Sequence, residues 1–221
     1  MGGGINFISR KPPLFTTLSY SPIPNNENSL NNKVASSLCT DRRRTYMDGT
    51  DGGGINILEP KTGKFTLLEH IPGSDNYSLP ANSILCLYND RNNNMWAGSI
   101  RNGLISIREV SMKTYTNVLP GNDNGLSNNT VLSIYQESSD RIWVGTDGGG
   151  INLFNPVTEK FTHYPSTWQN KVASICPFTS GNLLLSIFSQ GVFVFNPATG
   201  KKIRSLLSTR RHPHVSEAAE N

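Results

Sequence analysis

Three consecutive glycines interrupt an otherwise strand-like run, RIWVGTDGGGINLFNP, from Arg141 to Pro156. Glycine loses more conformational freedom on folding than any other residue, so a triplet between Trp143-Val144 and Ile151–Phe154 needs a structural reason. The element recurs. MDGTDGGGINILEP runs from Met47 to Pro60, and MGGGINFI opens the chain. The last glycine of each such turn is Gly4, Gly54, Gly103, Gly150 and Gly191, at spacings of 50, 49, 47 and 41 residues. A period of about 40 to 50 residues built from short strands is the signature of propeller blades.

The unit from Asn124 to Pro165 shows the plan best. Four strand candidates follow one another: VLSIYQE, RIWVGTD, GINLFNP and EKFTHY, joined by SSD, GGG and PVT. Each run is short, rich in β-branched and aromatic residues, and bounded by turn formers. No window sustains the i, i+3, i+4, i+7 apolar spacing of a helix. Other units align with it: Trp143 with Trp96, Met47 and Leu184, and Phe154 with Phe195. First strands are expected near Val34–Cys39, Ile84–Tyr88, Val131–Gln136 and Val172–Cys176. The cysteines fall in them, Cys39 and Cys176 at the position of Tyr135, and Cys86 at that of Ser133. The glycines then serve the turn between second and third strands, where positive φ is required. Trp96 and Trp143 are expected between neighbouring sheets. The fold expected is all-β, a partial β-propeller of about four to five four-stranded antiparallel blades.

The residues of GLSNNTVLSIYQESSDRIWVGTDGGGINLFNPVTEKFTHY resemble the two-component regulator propeller repeat. The resemblance covers nearly all of residues 2–207 and takes in Gly54, Gly103, Gly150, Gly191, Trp96 and Trp143 as structural motif positions. It implies the periplasmic sensor region of a hybrid two-component histidine kinase of the Bacteroides type, which senses oligosaccharides. In that family an immunoglobulin-like three-tyrosine domain, a membrane span, a kinase, a receiver and a DNA-binding region follow. None of those segments is present here. The expected organisation is therefore a receptor fragment: propeller units near 1–20, 28–70, 77–118, 124–165 and 168–207, and a basic, disordered tail at 208–221. The sequence departs from the repeat at Arg44, Met47 and Asp48, where glycine, tryptophan and an aliphatic residue are expected, and at Ser186, where glycine is expected.

Composition narrows the function classes. A net charge of +4 in 221 residues, without a basic stripe interleaved with aromatics, does not describe a nucleic-acid surface. No apolar stretch is long enough to span a membrane. The N-terminus lacks the basic-then-apolar order of a secretory signal. As written, the chain would stay in the cytoplasm, whereas the resemblance implies the periplasm. Three cysteines without a close pair exclude a disulfide framework or a CxxC metal site. His212 and His214 in the basic tail are read as solvated, so no metal and no cofactor is expected. PATGKK and KTGKF lack the spacing and helix of a phosphate loop and are read as turns.

Asp51 and Asp147 occupy the same repeat position. A glycosidase or lyase on a propeller would need acids converging across its substrate. The simpler reading is that each caps its turn through backbone amides. The expectation is therefore a non-enzyme that binds an oligosaccharide or other small ligand, with a second propeller or receptor chain as partner. A propeller glycosidase or lyase, or a scaffold remnant, is the alternative. Scaffold positions repeat, whereas binding positions break the repeat. The four turns read DGGG, IRNG, DGGG and FSQG, so Arg101, Asn102, Ser189 and Gln190 are the candidate ligand residues. Trp168, in the last interblade link, adds a stacking ring.

Overall fold

The computed structural model describes residues 4–8, 15–74, 77–108, 111–117 and 124–206. The 208–221 tail, with His212 and His214, lies outside them. Among the described residues there is no α-helix, only two short 3-10 turns at Pro165–Thr167 and Thr179–Gly181. A two-stranded unit, β1 (Gly4–Ile8) and β2 (Phe15–Ser19), comes first. Four antiparallel sheets follow, each in simple meander order. Blade 1 is β3 (Ala35–Thr40), β4 (Tyr46–Thr50), β5 (Gly54–Glu59) and β6 (Lys64–Leu68). Blade 2 is β7 (Ile84–Asn89), β8 (Met95–Ser99), β9 (Leu104–Arg108) and β10 (Ser111–Tyr115). Blade 3 is β11 (Val131–Ser138), β12 (Arg141–Thr146), β13 (Gly150–Asn155) and β14 (Lys160–His163). Blade 4 is β15 (Val172–Pro177), β16 (Leu183–Ile187), β17 (Gly191–Asn196) and β18 (Lys201–Ser205).

Each first strand carries a register shift at the same place, between Ala35 and Ser37, Ile84 and Cys86, Val131 and Ser133, and Val172 and Ser174. An extra residue there bends the strand where it meets the next blade. The first strand expected near Val34–Cys39 runs from Ala35 to Thr40. Ala35, not Val34, stands where Val172 stands, and Val34 is exposed. The cysteine positions hold: Cys39 pairs with Met47 as Tyr135 pairs with Trp143, and Cys86 with Gly98 as Ser133 with Gly145.

The core lies between sheets, because a lone blade has two apolar faces and cannot bury either one by itself. Trp96 of blade 2 is 1% exposed and meets Phe154 of blade 3 edge-on at 5.7 Å. Trp143 of blade 3 is fully buried and meets Phe195 of blade 4 edge-on at 6.1 Å. Removing such a ring from water, roughly 200 Å², is worth at most about 5 kcal/mol. Each indole nitrogen donates to an acid on the hairpin before it, Trp96 to Asp90 at 3.0 Å and Trp143 to Glu137 at 2.8 Å. At the junction of blades 1 and 2 both aromatic positions are aliphatic. Met47 packs into the cluster that contains Ile107, the register equivalent of Phe154. With no indole to bind, Asp41 there accepts the Thr45 amide instead.

The turn glycines work across the junctions as well as within them. Gly52 and Gly54 donate their amides to Asn82 O, Gly103 donates to Asn129 O, and Gly148 and Gly150 donate to Asn170 O. Each acceptor lies in the link that opens the next blade. At Gly103, φ is +79° and an added Cβ would fall 2.0 Å from Tyr115 O. Gly63, in an outer turn, also has positive φ but open space around it. Gly103→Ala should therefore cost about 2–4 kcal/mol through strain plus backbone collision, and Gly63→Ala only about 1 kcal/mol. Urea unfolding of both variants checks this; equal costs would mean that the approach at Gly103 is not tight.

Asp48 is the one departure from the repeat that leaves a charge-bearing group inside. It pairs with Leu38 in the register where Leu87 meets Ala97, Ile134 meets Val144 and Ile175 meets Leu185. It is 2% exposed, and neither carboxylate oxygen has a hydrogen-bond partner. Burial alone pushes its pKa up to about 7. An unfolded aspartate ionises near 4, so the folded state holds the proton more tightly and stability falls as pH rises from about 4 to about 7. Asp48→Val should stabilise the protein at pH 7.5 by about 2–4 kcal/mol and by much less at pH 4.5. Unfolding curves at the two pH values read this directly, and an equal gain at both would contradict it.

Candidate functional site

The glycine turns and the interblade links lie together on one face, since the turn amides bond to the link carbonyls. A second set of bonds runs within each blade: Asp51 N to Val34 O, Ile100 N to Ser83 O, Asp147 N to Thr130 O and Phe188 N to Lys171 O. The face is thus a belt of satisfied backbone from which the non-repeating side chains project.

Arg101 follows this logic. Its φ is +66°, which a non-glycine residue tolerates poorly, and its amide reaches Thr130 Oγ1 at 3.3 Å. The exposed side chain stands at a polar cavity of about 480 Å³ lined by Arg101, Asn117, Ser127, Asn128, Asn129 and Thr130. The cavity wall is held from behind. Asn117 N donates to Asn129 Oδ1, Thr130 N to Asn128 Oδ1 at 2.8 Å, and Ser127 N to the buried Asn152 at 3.0 Å. Asn102 turns the other way, its amide 3.4 Å from Pro80 O at the junction of blades 1 and 2.

Trp168 and Gln190 belong to the junction of blades 3 and 4, and Ser189 lies in the glycine turn of blade 4. Trp168 is 52% exposed and follows the 3-10 turn at Pro165–Thr167. Ser189 is exposed with φ +60°, and Gln190 Nε2 donates to Asn170 Oδ1 at 2.9 Å. So Gln190 braces the link next to Trp168. The cavity at Arg101 contains none of Asn102, Trp168, Ser189 or Gln190. The five residues share a face but stand at different blade junctions.

A second cavity, about 570 Å³, is framed by the first link and the outer strands of blade 1. Tyr20, Ile23 and Leu67 give it an apolar side, while Asn25, Asn31 and Asn56 supply amides. The link from Tyr20 to Leu30 has counterparts of similar length at 70–79 and 117–126, so its length does not mark it in the sequence. The proline-flanked SPIPNNEN was its only signal.

Asp147 is taken up by an ion pair with Lys171 at 2.9 Å, and Asp51 stands on a different blade, bridged to Ser83. His70 Nδ1 and His163 Nε2 each contact a link carbonyl, of Leu79 and Gly125 respectively. His163 lies in the register of Leu67, and His70 beyond the end of β6. Among the described residues no group of three or more His, Cys, Asp or Glu could hold a metal. Burial raises the thiols of Cys39 and Cys86 to about 12. Cys176 is exposed. Ellman's reagent at pH 8 should therefore modify one thiol quickly and the other two only on unfolding. Loss of the fast phase in Cys176→Ser checks the assignment; a fast phase that survives it would show that an inner strand opens.

The architecture is that of a partial β-propeller. Residues 78–101 and 125–148 match the two component regulator propeller family model. The extracellular domain of a hybrid two component system from B. thetaiotaomicron is similar to it, with 28% identity and a TM-score of 0.67. That match covers 82% of this chain and 23% of that one, so the chain spans about a quarter of the length of that domain. PorZ, a surface component of the type-IX secretion system of Porphyromonas gingivalis, is 12% identical over 86% of this chain and 29% of its own, with a TM-score of 0.60. The designed protein Ika8 is 16% identical over 79% of this chain and 49% of its own, at 0.52. At those identities both show the fold alone. No curated protein matches the chain.

Proposed function

We propose that this chain is the ligand-sensing module of a two-component receptor, working outside the cytoplasm and taking an oligosaccharide on its glycine-turn face without transforming it. The polar cavity at Arg101 is the observation that carries this reading. It stands where the repeat breaks, its wall is preorganised, and its lining offers a guanidinium fork, amides and hydroxyls that match the donors and acceptors of a sugar. The extracellular domain from B. thetaiotaomicron supports the receptor setting. Signal relay would be a shift in population between arrangements of propellers, driven by ligand that favours one of them. A second propeller or receptor chain is the proposed partner. Hydrolysis is the weaker reading, because Asp147 is already paired with Lys171.

The affinity expected is modest. A few hydrogen bonds at about 1 kcal/mol each and one stacked ring at Trp168 are set against the cost of ordering a flexible ligand. Calorimetry on a panel of neutral and uronic oligosaccharides should give micromolar or weaker binding, reduced about ten-fold or more in Arg101→Ala. Trp168→Ala should weaken only ligands long enough to reach the next junction. Binding that survives both changes would place the site elsewhere, and release of product, lost on changing Asp147, would move the chain to the enzyme class.

A further inference from the structure

The hairpins between first and second strands project from the opposite ends of the blades, and there the charge is concentrated. The hairpin of blade 1 reads DRRRTY, with Arg42, Arg43 and Arg44 all exposed and Arg44 in a left-handed conformation at φ +63°. The hairpin of blade 2 brings Arg91 alongside. Arg42 N donates to Asn93 Oδ1 at 3.2 Å, and the Arg42 guanidinium donates to Arg91 O. Asn89 Nδ2 ties the two together by donating to Thr40 O at 3.0 Å and to Asn93 Oδ1 at 3.1 Å. The cations therefore stand on a fixed frame.

The acids nearby are already engaged. Asp41 Oδ1 accepts the Thr45 amide, and Asp90 accepts Trp96 Nε1, the Asn94 side chain and two backbone amides. Glu137 holds Arg141 and Trp143. Blade 3 adds a different kind of group. Gln136 is 1% exposed; its Oε1 accepts the Arg91 amide at 2.9 Å, and its Nε2 has no partner. A buried donor without an acceptor costs free energy, and such a group in a native structure calls for an explanation. The amide of Asn89, one repeat earlier, has its nitrogen engaged and its oxygen unpartnered, so the unused donor is particular to Gln136.

We infer that the hairpin end of blades 1 to 3 is an oxyanion-binding site, in which Gln136 Nε2 and the guanidinium groups of Arg91 and Arg42 receive a carboxylate, sulfate or phosphate group. The Gln136 amide oxygen accepts the main-chain N–H of Arg91 while the Arg42 guanidinium donates to the Arg91 carbonyl, so the three residues are tied to one another across blades 1 to 3. Guanidinium forks match the paired oxygens of such anions, and charge-assisted bonds are the strong ones. The site lies on the face away from the glycine turns and uses none of the residues assigned to the sugar cavity.

The test uses the whole chain and three probes, sodium sulfate, sodium phosphate and sodium galacturonate, titrated by calorimetry at constant ionic strength with chloride as reference. Saturable binding of at least one probe is expected, and which one responds identifies the source of the anion. Gln136→Glu keeps the acceptor for Arg91 and replaces the free donor by a like charge; it should abolish binding. Arg91→Gln should weaken binding about ten-fold, the loss of one charge-assisted contact. Lys201→Gln, an exposed cation on β18, should change nothing. Circular dichroism establishes that each variant is folded, and Arg91→Gln carries the test if Gln136→Glu is not. No saturable response to any probe, an equal loss in Lys201→Gln, or undiminished binding in folded Gln136→Glu or in Arg91→Gln would overturn the inference. Because the probes are small anions and the variants lie on the hairpin end, failure here leaves the sugar-binding reading standing, and the converse holds.

Discussion

The glycine turns of one blade hydrogen-bond to the main chain of the next, and the rest of the structure depends on that crossing. Asn82, Asn129 and Asn170 each present a carbonyl to the turn of the blade before. A blade is too thin to bury an apolar face alone, so it is stable only where a neighbour is held at a fixed distance. The crossing sets that distance at one end of the junction. Close beside it, Ser133 Oγ reaches Val172 O at 3.0 Å. Away from that end, Trp143 and Phe195, or Trp96 and Phe154, fill the space. Where the aromatic pair is missing, at the first junction, Met47 and Ile107 fill it in the same register, and the Gly54 crossing to Asn82 is kept. The backbone contact is constant and the side-chain filling varies around it.

Much of this was legible in the sequence because it repeats. Four blades, their strand order, the buried tryptophans and the turn role of the glycines follow from a period of short strands punctuated by the same residues. The crossing itself was not legible. It uses main-chain carbonyls, and the asparagines that carry them were visible only as a residue preceding each first strand. The one-residue offset between the two NKVAS segments, at 32–36 and 170–174, has a physical cause as well. The bulge in every first strand lets one residue slip without exposing the core face, so two identical NKVAS segments adopt different registers.

The candidate binding face was legible only in part. A break in repetition pointed to Arg101, and Arg101 does stand at a cavity. The same argument grouped Arg101 with Gln190 and Trp168, which three-dimensional placement separates, because Arg101 stands on blade 2 and the others at the junction of blades 3 and 4. Gln190, moreover, serves Asn170. Lone departures from a repeat therefore mark two different things, cavity-lining residues and local braces, and only the neighbours of each side chain distinguish them. Asp48 stood out as a departure from the repeat, whereas Gln136 did not, and what sets both apart is a buried polar group without a hydrogen-bond partner.

Hydrogen exchange of the backbone amides tests the central claim most directly. Turn amides on an exposed face ordinarily exchange within seconds to minutes, whereas amides closed only by global unfolding exchange far more slowly. The amides of Gly54, Gly103 and Gly150 are donated across blade junctions, so they should exchange as slowly as those of Val144 and Ala97 in the central strands, with a free energy of opening close to that of unfolding. Fast exchange at these glycines, with the central strands still protected, would show that the blades are held by their side chains alone and that the crossing bonds are not what fixes the spacing.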